Sequence, residues 1–312
     1  MESGATYHFP PVVLRQGRKA LWNRFGKKPL VNRPEERVRL RYLDYLTLEC
    51  EWPGSRIAVE PAVTSTKKGS QTRADLICYD RKLNPAILIE CKSEYVKLGG
   101  NAAEQVTAYN QTIGVGLMCI TNGISDFWFD LKTGKPEGLS SPPIESVRNI
   151  TDIRLDSRYW KERGFAGKKP IDANTFWISE TLQKFWAVDH PWQSRFLDIH
   201  HKVEKLELDN YYRLAETSEG NRIAMSFVAG FDNDTYLVAF LNTDGQNRAL
   251  LISNLNEAAK KQNDNSLLVT GAGKFHFDIR KKIPFNFKEQ SAGVVYNLPG
   301  FLEAFFHQNI GT

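Results

Sequence analysis

At 312 residues, with 41% hydrophobic and 12% aromatic content, the chain can bury a real core and exceeds the usual length of one domain, so a soluble protein of two domains is expected. No apolar run approaches the roughly 18 residues needed to cross a bilayer, and the opening MESGATYHFPPVVLRQ lacks the basic-then-apolar order of a signal peptide, so a membrane role is excluded and a cytoplasmic address expected. Net charge is +5 and the pI about 8.9, too mild over the whole chain to imply a nucleic-acid partner.

The charge distribution says more. Ten Lys/Arg residues fall between Arg15 and Arg41 against Glu35 and Glu36, with Trp22 and Phe25 inside the run. Such interleaving suits a phosphate backbone and stacked bases, whereas the plainer alternative is a solvated basic arm. Residues 1–32 are taken as that arm. RPEERVRLRYLDYLTLEC predicts a helix, with Pro34 in the first turn, Glu35 and Glu36 at its positive end, and Val38, Tyr42, Tyr45 and Leu46 at three- and four-residue steps. Glu35 lies three residues before Val38 and is expected to share its inward face.

RIAVEPAVT, TRADLICYD and AILIECKS then predict strands, separated by turns at TKKGSQ and DRKLNP. NAAEQVTAYNQTI predicts a helix stopping near Gly114, and VGLMCITNG and ISDFWFDL two further strands. This order favours an α/β (α+β) sandwich with a mixed central sheet and a helix on each face, over residues 33–135. A Gly-, Pro- and Ser-rich stretch after Leu131 supplies a linker at 136–150. A second, smaller α+β domain is expected over 151–312. Its first part, ANTFWISETLQKFWAVDHPWQSRFLDIHHKVEKLEL, looks helical with turns, and RIAMSFVAGFDNDTYLVAFLNTDGQNRALLISNL predicts three strands.

The chemistry concentrates at Asp75, Glu90 and Lys92. Alternation along a strand puts Glu90 and Lys92 on one face and Ile89 and Cys91 on the other, and a hairpin brings Asp75 beside Glu90. Two close carboxylates repel unless a divalent cation lies between them. Mg²⁺, with Mn²⁺ as a substitute, suits Asp75, Glu90 and the main-chain carbonyl of Cys91, and Lys92 is then placed to act on a bound water or on charge developing at a phosphate. An ion pair on a sheet edge is the alternative on these residues alone.

The region resembles the PD-(D/E)xK nuclease superfamily, and more closely the N-terminal nuclease domain of the restriction subunit of type I restriction enzymes. The resemblance runs from about Arg33 to Leu131 and rests on RPEERVRLRYLDYL, RADLICYD, ILIECKS, EQVTAYN, and CITNG followed by FWFDL. It implies a restriction-endonuclease-like core with Asp75, Glu90 and Lys92 as its catalytic set. A glutamate of the opening helix is the accessory acid, Glu35 being favoured for its phase and Glu36 kept open. Gln105 and Tyr109 then position nucleic acid or the active site, and Arg73, Lys67 and Lys68 are grouped with them. The expected function is Mg²⁺-dependent cleavage of DNA in restriction or phage defence, with RNA left open and protein partners or a homo-oligomer expected. The alternative is a nuclease-fold DNA-binding or scaffolding subunit that cuts nothing alone.

Ala74 stands where the superfamily carries proline, and no ATP site is recognised. TGAGKF, Thr270 to Phe275, lacks an earlier glycine and has Phe275 where Mg²⁺ needs Ser or Thr, so a hairpin turn is expected. Cys50, Cys78, Cys91 and Cys119 lack paired spacing and are expected as free buried thiols. His200 and His201 have no partners at metal-site spacing. Trp177, Trp186 and Trp192, with Phe176, Phe185 and Phe196, are expected in the core of the second unit. That unit carries no catalytic motif and is assigned a regulatory or specificity role.

Overall fold

The structure is a computed structural model that describes residues 1–64, 71–99, 113–171, 176–199, 201–217, 220–260, 266–281, 295 and 297–310; at 62–64, 71–72 and 176–177 the backbone alone is described. Two compact units emerge, one of Met1–Val13 and Ala20–Ile153, the other of Leu14–Lys19 and Arg154–Thr312. Gln105, Tyr109, Lys67, Lys68 and His200 lie outside the described residues.

In chain order, β1 (Val12–Arg15), β2 (Arg18–Asn23) and β3 (Lys28–Leu30) form a small three-stranded sheet. Residues 1–32, expected as a basic arm, thus carry secondary structure, and Ala5 and Leu21 enter the core of the first unit. Helix α1 (Pro34–Asp44) follows, ending in a π-turn over Tyr45–Glu49. Every residue of α1 from Arg37 to Asp44 is buried. Its apolar members Val38, Leu40, Tyr42 and Leu43 pack with Leu76, Cys78, Ile87, Ile89, Cys119 and Trp128 of the sheet.

The main sheet is mixed. It contains β4 (Ile57–Val59), β7 (Leu76–Tyr79), β8 (Pro85–Cys91), β9 (Leu117–Thr121), β10 (Asp126–Asp130) and β11 (Glu137–Leu139) in the order β11-β10-β9-β8-β7-β4. Neighbours run antiparallel except β8 and β9, which are parallel, with Glu90 beside Ile120 and Cys91 beside Thr121. Ile77, Leu88, Met118 and Ile120 form a separate apolar cluster with Ala74, Val115 and Leu131, as alternation along the strands requires. The DRKLNP turn closes because Asp80 accepts from the backbone N–H groups of Lys82 and Asn84.

Two predicted strands are each broken. RIAVEPAVT becomes β4 and β5 (Ala62–Thr64), and TRADLICYD becomes β6 (Gln71–Arg73) and β7; β5 and β6 pair as a separate two-stranded ribbon. The breaks fall opposite each other, at Glu60–Pro61 and Ala74–Asp75, where the Glu60 N–H donates to the Asp75 carbonyl at 2.9 Å. Proline cannot donate to a ladder, and Glu60 takes the left-handed φ of 51°, which turns the chain out of the sheet.

The first unit ends with α2 (Ile150–Ile153), and the second contains α3 (Ser157–Glu162), α4 (Phe176–Phe185) and a seven-stranded antiparallel meander. Its strands, paired in chain order, are β12 (Gln193–Leu197), β13 (Asn210–Glu216), β14 (Asn221–Ala229), β15 (Thr235–Thr243), β16 (Gln246–Asn254), β17 (Ser266–Thr270) and β18 (Gly273–Phe277). Helices α5 (Leu255–Ala259) and α6 (Leu298–Ile310) complete the unit. The three strands expected over 222–255 are β14 to β16. Gln193–Leu197, expected within a helical stretch, is a strand because its pairing with β13 overrides local preference. TGAGKF is the β17–β18 hairpin, Thr270 facing Gly273. Phe185 and Trp186 are fully buried and Phe196 nearly so, while Trp192 is half-buried; the side chains of Phe176 and Trp177 lie outside the described set. All four cysteines are free and buried.

Two members of the basic run are structural, closing on one acid. Arg37 and Arg41 both reach Glu94, at 3.1 and 2.7 Å, and Arg41 also donates to the carbonyls of Ala5, Thr6 and Gly123. A buried charge left without its partner costs far more than the pair contributes. Arg41→Met should therefore lower stability by about 3 kcal/mol, measured by urea unfolding, because it leaves Glu94 with Arg37 alone of the two guanidiniums and removes the donor to three carbonyls together.

Candidate active site

At the break between the main sheet and the β5–β6 ribbon, three acidic side chains converge on one arginine. Arg39 donates through Nη2 to Glu36 Oε1 at 2.6 Å; its Nη1 lies 2.9 Å from Glu60 Oε1 and its Nε 3.4 Å from Asp75 Oδ1. Glu36 and Arg39 are one helical turn apart on α1, Glu60 follows β4, and Asp75 precedes β7. Asp75 Oδ2 accepts the backbone N–H of Cys91 at 2.7 Å, which ties it to the end of β8. Glu90 is 8% exposed, and its Oε1 accepts from Lys92 Nζ at 2.9 Å.

Asp75, Glu90 and Lys92 are therefore neighbours. Cys91 also joins the group, through its N–H. The inward position expected of Glu35 belongs to Glu36: Glu35 is exposed, whereas Glu36 is half-buried and paired. The reason is that α1 is buried all round beyond its first turn, so it has a second inward face. The Val38 and Tyr42 face meets the apolar core, and the Glu36 and Arg39 face meets the carboxylates. Arg73 is exposed, close enough to Glu60 to lower its pKa.

The electrostatics are tense. Burial first, and the charge of Glu90 second, push the Asp75 carboxyl up from its ordinary 3.8 to about 6, despite Arg39 and the Cys91 N–H. Burial also raises Glu36 against the opposing pull of Arg39. Burial pushes Glu60 the same way, but the guanidinium of Arg39 beside it outweighs that effect and holds the carboxyl low. Glu36 Oε2 and Glu90 Oε2 are buried and, among the described residues, accept no hydrogen bond. Orphaned carboxylate oxygens of this kind are costly, and a divalent cation is one way to satisfy them.

Among the described residues, no three His, Cys, Asp or Glu side chains are grouped as a ready metal cage. Mg²⁺ does not need one, since one or two carboxylates plus waters and substrate oxygens complete its octahedron. Asp75 and Glu90 supply the hard oxygen donors, so the residues fit the ion. Glu60 and Arg39 were missed by sequence reasoning. The i,i+3 spacing of Glu36 and Arg39 was a usable signal, as was a glutamate placed directly before Pro61 in a predicted strand.

Because the folded state holds the Asp75 proton more tightly than the unfolded chain, ionising Asp75 opposes folding. The cost is absent below about pH 4 and complete above about pH 6, amounting to at most about 3 kcal/mol for a shift from 3.8 to about 6. Asp75→Asn should thus stabilise the metal-free protein at pH 8 by up to about 3 kcal/mol, and the gain should fade toward pH 4. Denaturant unfolding across that range, with a chelator present, measures it; a gain independent of pH would contradict the assignment.

Residues 34–143 match the family model described as Type I restriction enzyme R protein N terminus (HSDR_N). A solved structure similar to this chain is the fragment structure of a putative HsdR subunit of a type I restriction enzyme from Vibrio vulnificus YJ016, at 19% identity and a TM-score of 0.29. The match covers 49% of this chain and 32% of that one, so this chain spans about a third of that fragment. No curated protein matches. The stretch that contains α1, the β4–β7 break and the whole E-x-K strand therefore resembles the N-terminal nuclease domain of type I restriction R subunits.

Proposed function

We propose that this chain is a Mg²⁺-dependent endonuclease that hydrolyses phosphodiester bonds of DNA, within a restriction or phage-defence assembly. The observation that carries the reading is the juxtaposition of Asp75, Glu90 and Lys92, with Glu90 Oε2 buried and unsatisfied. Binding alone requires no such arrangement, because two mutually repelling acids weaken affinity for a polyanion. The family match over residues 34–143 supports the same reading.

Asp75 and Glu90 would hold the ion, with the Cys91 main-chain carbonyl as a third oxygen. The ion, when bound, supplies Lewis acidity toward a phosphate oxygen and a lowered pKa for its water. The Cys91 N–H fixes the direction of the Asp75 carboxylate. Lys92, a third exposed and tethered to Glu90, can reach the reacting phosphate, where its ammonium stabilises developing negative charge or moves a proton. Glu36 is the accessory acid in this assignment. Arg73, Lys67, Lys68, Gln105 and Tyr109 are retained as candidates for positioning nucleic acid. The exposed basic residues Arg15, Arg18, Lys27, Lys28 and Arg33 remain available to phosphates, unlike the buried Arg37, Arg39 and Arg41. No helix among the described residues is long and apolar enough to cross a membrane, in keeping with a cytoplasmic role.

The test is incubation with supercoiled plasmid, linear duplex, single-stranded DNA and RNA, in Mg²⁺, Mn²⁺ or EDTA. Metal-dependent cutting is expected, abolished by Asp75→Asn and Glu90→Gln along with metal affinity. Lys92→Ala should lower the rate by about two orders of magnitude or more while retaining Mn²⁺, read by calorimetric titration. Binding without cutting in every condition would replace this reading with a DNA-binding or scaffolding subunit.

A further inference from the structure

Counting charges within the site exposes a role that the nuclease reading leaves unassigned. Glu36, Glu60, Asp75 and Glu90 are four carboxylates, faced within the group by Arg39 and Lys92, so two negative charges remain when all are ionised. Lys92 serves Glu90, and Arg39 alone spans the other three. Yet its fork fits them poorly. Nη2 makes the one hydrogen bond of good geometry, to Glu36, whereas Nε and Nη1 are buried beside Asp75 and Glu60 without satisfying hydrogen-bond direction. Arg39 is held there by charge more than by fit, and a group so held can be displaced.

We infer that Arg39 is a built-in counter-ion that stands in for the divalent cation at Asp75 and sets the affinity of the site for metal. The inference rests on the proposed metal role of Asp75 and Glu90. The Arg39 Nε lies 3.4 Å from Asp75 Oδ1, where the positive charge lowers the repulsion between Asp75 and Glu90. A cation binding these two acids must push Arg39 off Asp75. Glu36 and Glu60 then retain it as a ready resting place. Glu60 thereby gains a function through Arg39: its left-handed φ of 51° and the Pro61 behind it put its carboxylate at the sheet break, 2.9 Å from Nη1. It favours metal entry by holding the arginine that would otherwise compete.

The two residues should therefore act with opposite signs. Calorimetric titration with Mn²⁺ alone, without substrate, reads both. Arg39→Met should tighten Mn²⁺ binding by about tenfold or more, having removed a competing cation. Glu60→Gln should weaken it by a few-fold, and its effect should vanish in the Arg39→Met background, because Glu60 acts through Arg39. Persistence of the Glu60→Gln effect in that background would make Glu60 a direct ligand and overturn its part of the inference. Should Arg39→Met fail to fold, Arg39→Lys keeps the charge but cannot span three carboxylates, and is expected to tighten Mn²⁺ binding by a smaller factor. Mn²⁺ binding by the wild type with equal or weaker binding by the Arg39 variants would overturn the counter-ion role and leave the metal site standing. Absence of Mn²⁺ binding in wild type and variants alike would instead remove the metal site itself, and the inference with it.

Discussion

The first unit is organised around the cost of burying carboxylates at the end of a β-sheet. Asp75 and Glu90 lie at adjacent strand ends, where low dielectric and mutual repulsion both oppose ionisation, and burial alone is the larger effect on Asp75. A chain that keeps such a pair must compensate within reach. It does so with α1, a helix buried on every side beyond its first turn, whose arginines are spaced to serve two different acid groups. Arg39 enters the carboxylate cluster, and Arg37 and Arg41, one helical turn apart, close on Glu94. Buried ion pairs of this kind contribute little net stability over apolar packing, so their presence speaks for a requirement of the site.

The Glu94 clamp bears directly on Lys92. Beyond the end of β8 the chain turns at Glu94, where the Val96 N–H donates to the Ser93 carbonyl, so fixing Glu94 between two buried guanidiniums anchors the backbone just beyond the lysine. The Lys92 N–H donates to the Thr121 carbonyl at 2.7 Å and the Cys91 N–H to Asp75, which hold the same stretch from two further directions. Lys92 is thus a long side chain on a rigid root. Its ammonium can reach outward from Glu90 without the backbone moving, as its proposed role toward a phosphate requires.

How much of this was legible depended on whether the signal was periodic or positional. The E-x-K strand, the opening helix and the mixed sheet followed from alternation and helical spacing, and the Asp75 to Glu90 pairing from the hairpin. The helix phase at its first turn was misjudged because Val38 was used as the sole mark of the buried face. A helix buried all round has no single inward face, and the Glu36–Arg39 pair marked the second one. The strand breaks at Glu60 and Asp75 were missed for a related reason: RIAVEPAVT and TRADLICYD each read as one continuous strand, and only their pairing across the break shows why both must bend together. The arginines of α1 were counted in a basic run that faces either phosphates or solvent, since composition cannot tell a buried cation from an exposed one until its acid partner is brought near in space.

The second unit obeys different physics. Its seven strands pair in simple chain order, and the large aromatic side chains that could have formed an exposed stacking surface are turned inward: Trp160, Phe165, Phe185, Trp186 and Phe227 meet edge to face or tilted at 5.0–5.9 Å between ring centres. Arg213, on β13, donates to the carbonyls of Phe185, Ala187 and Trp192 and lies over the Trp186 ring, so its charge is spent on holding the segment that follows α4. In each unit, then, buried arginine serves a different master. In the second it ties neutral backbone to a sheet and leaves no charge unanswered, a purely architectural use. In the first, Arg39 is set among three carboxylates at the sheet break, which is where the proposed function places the metal.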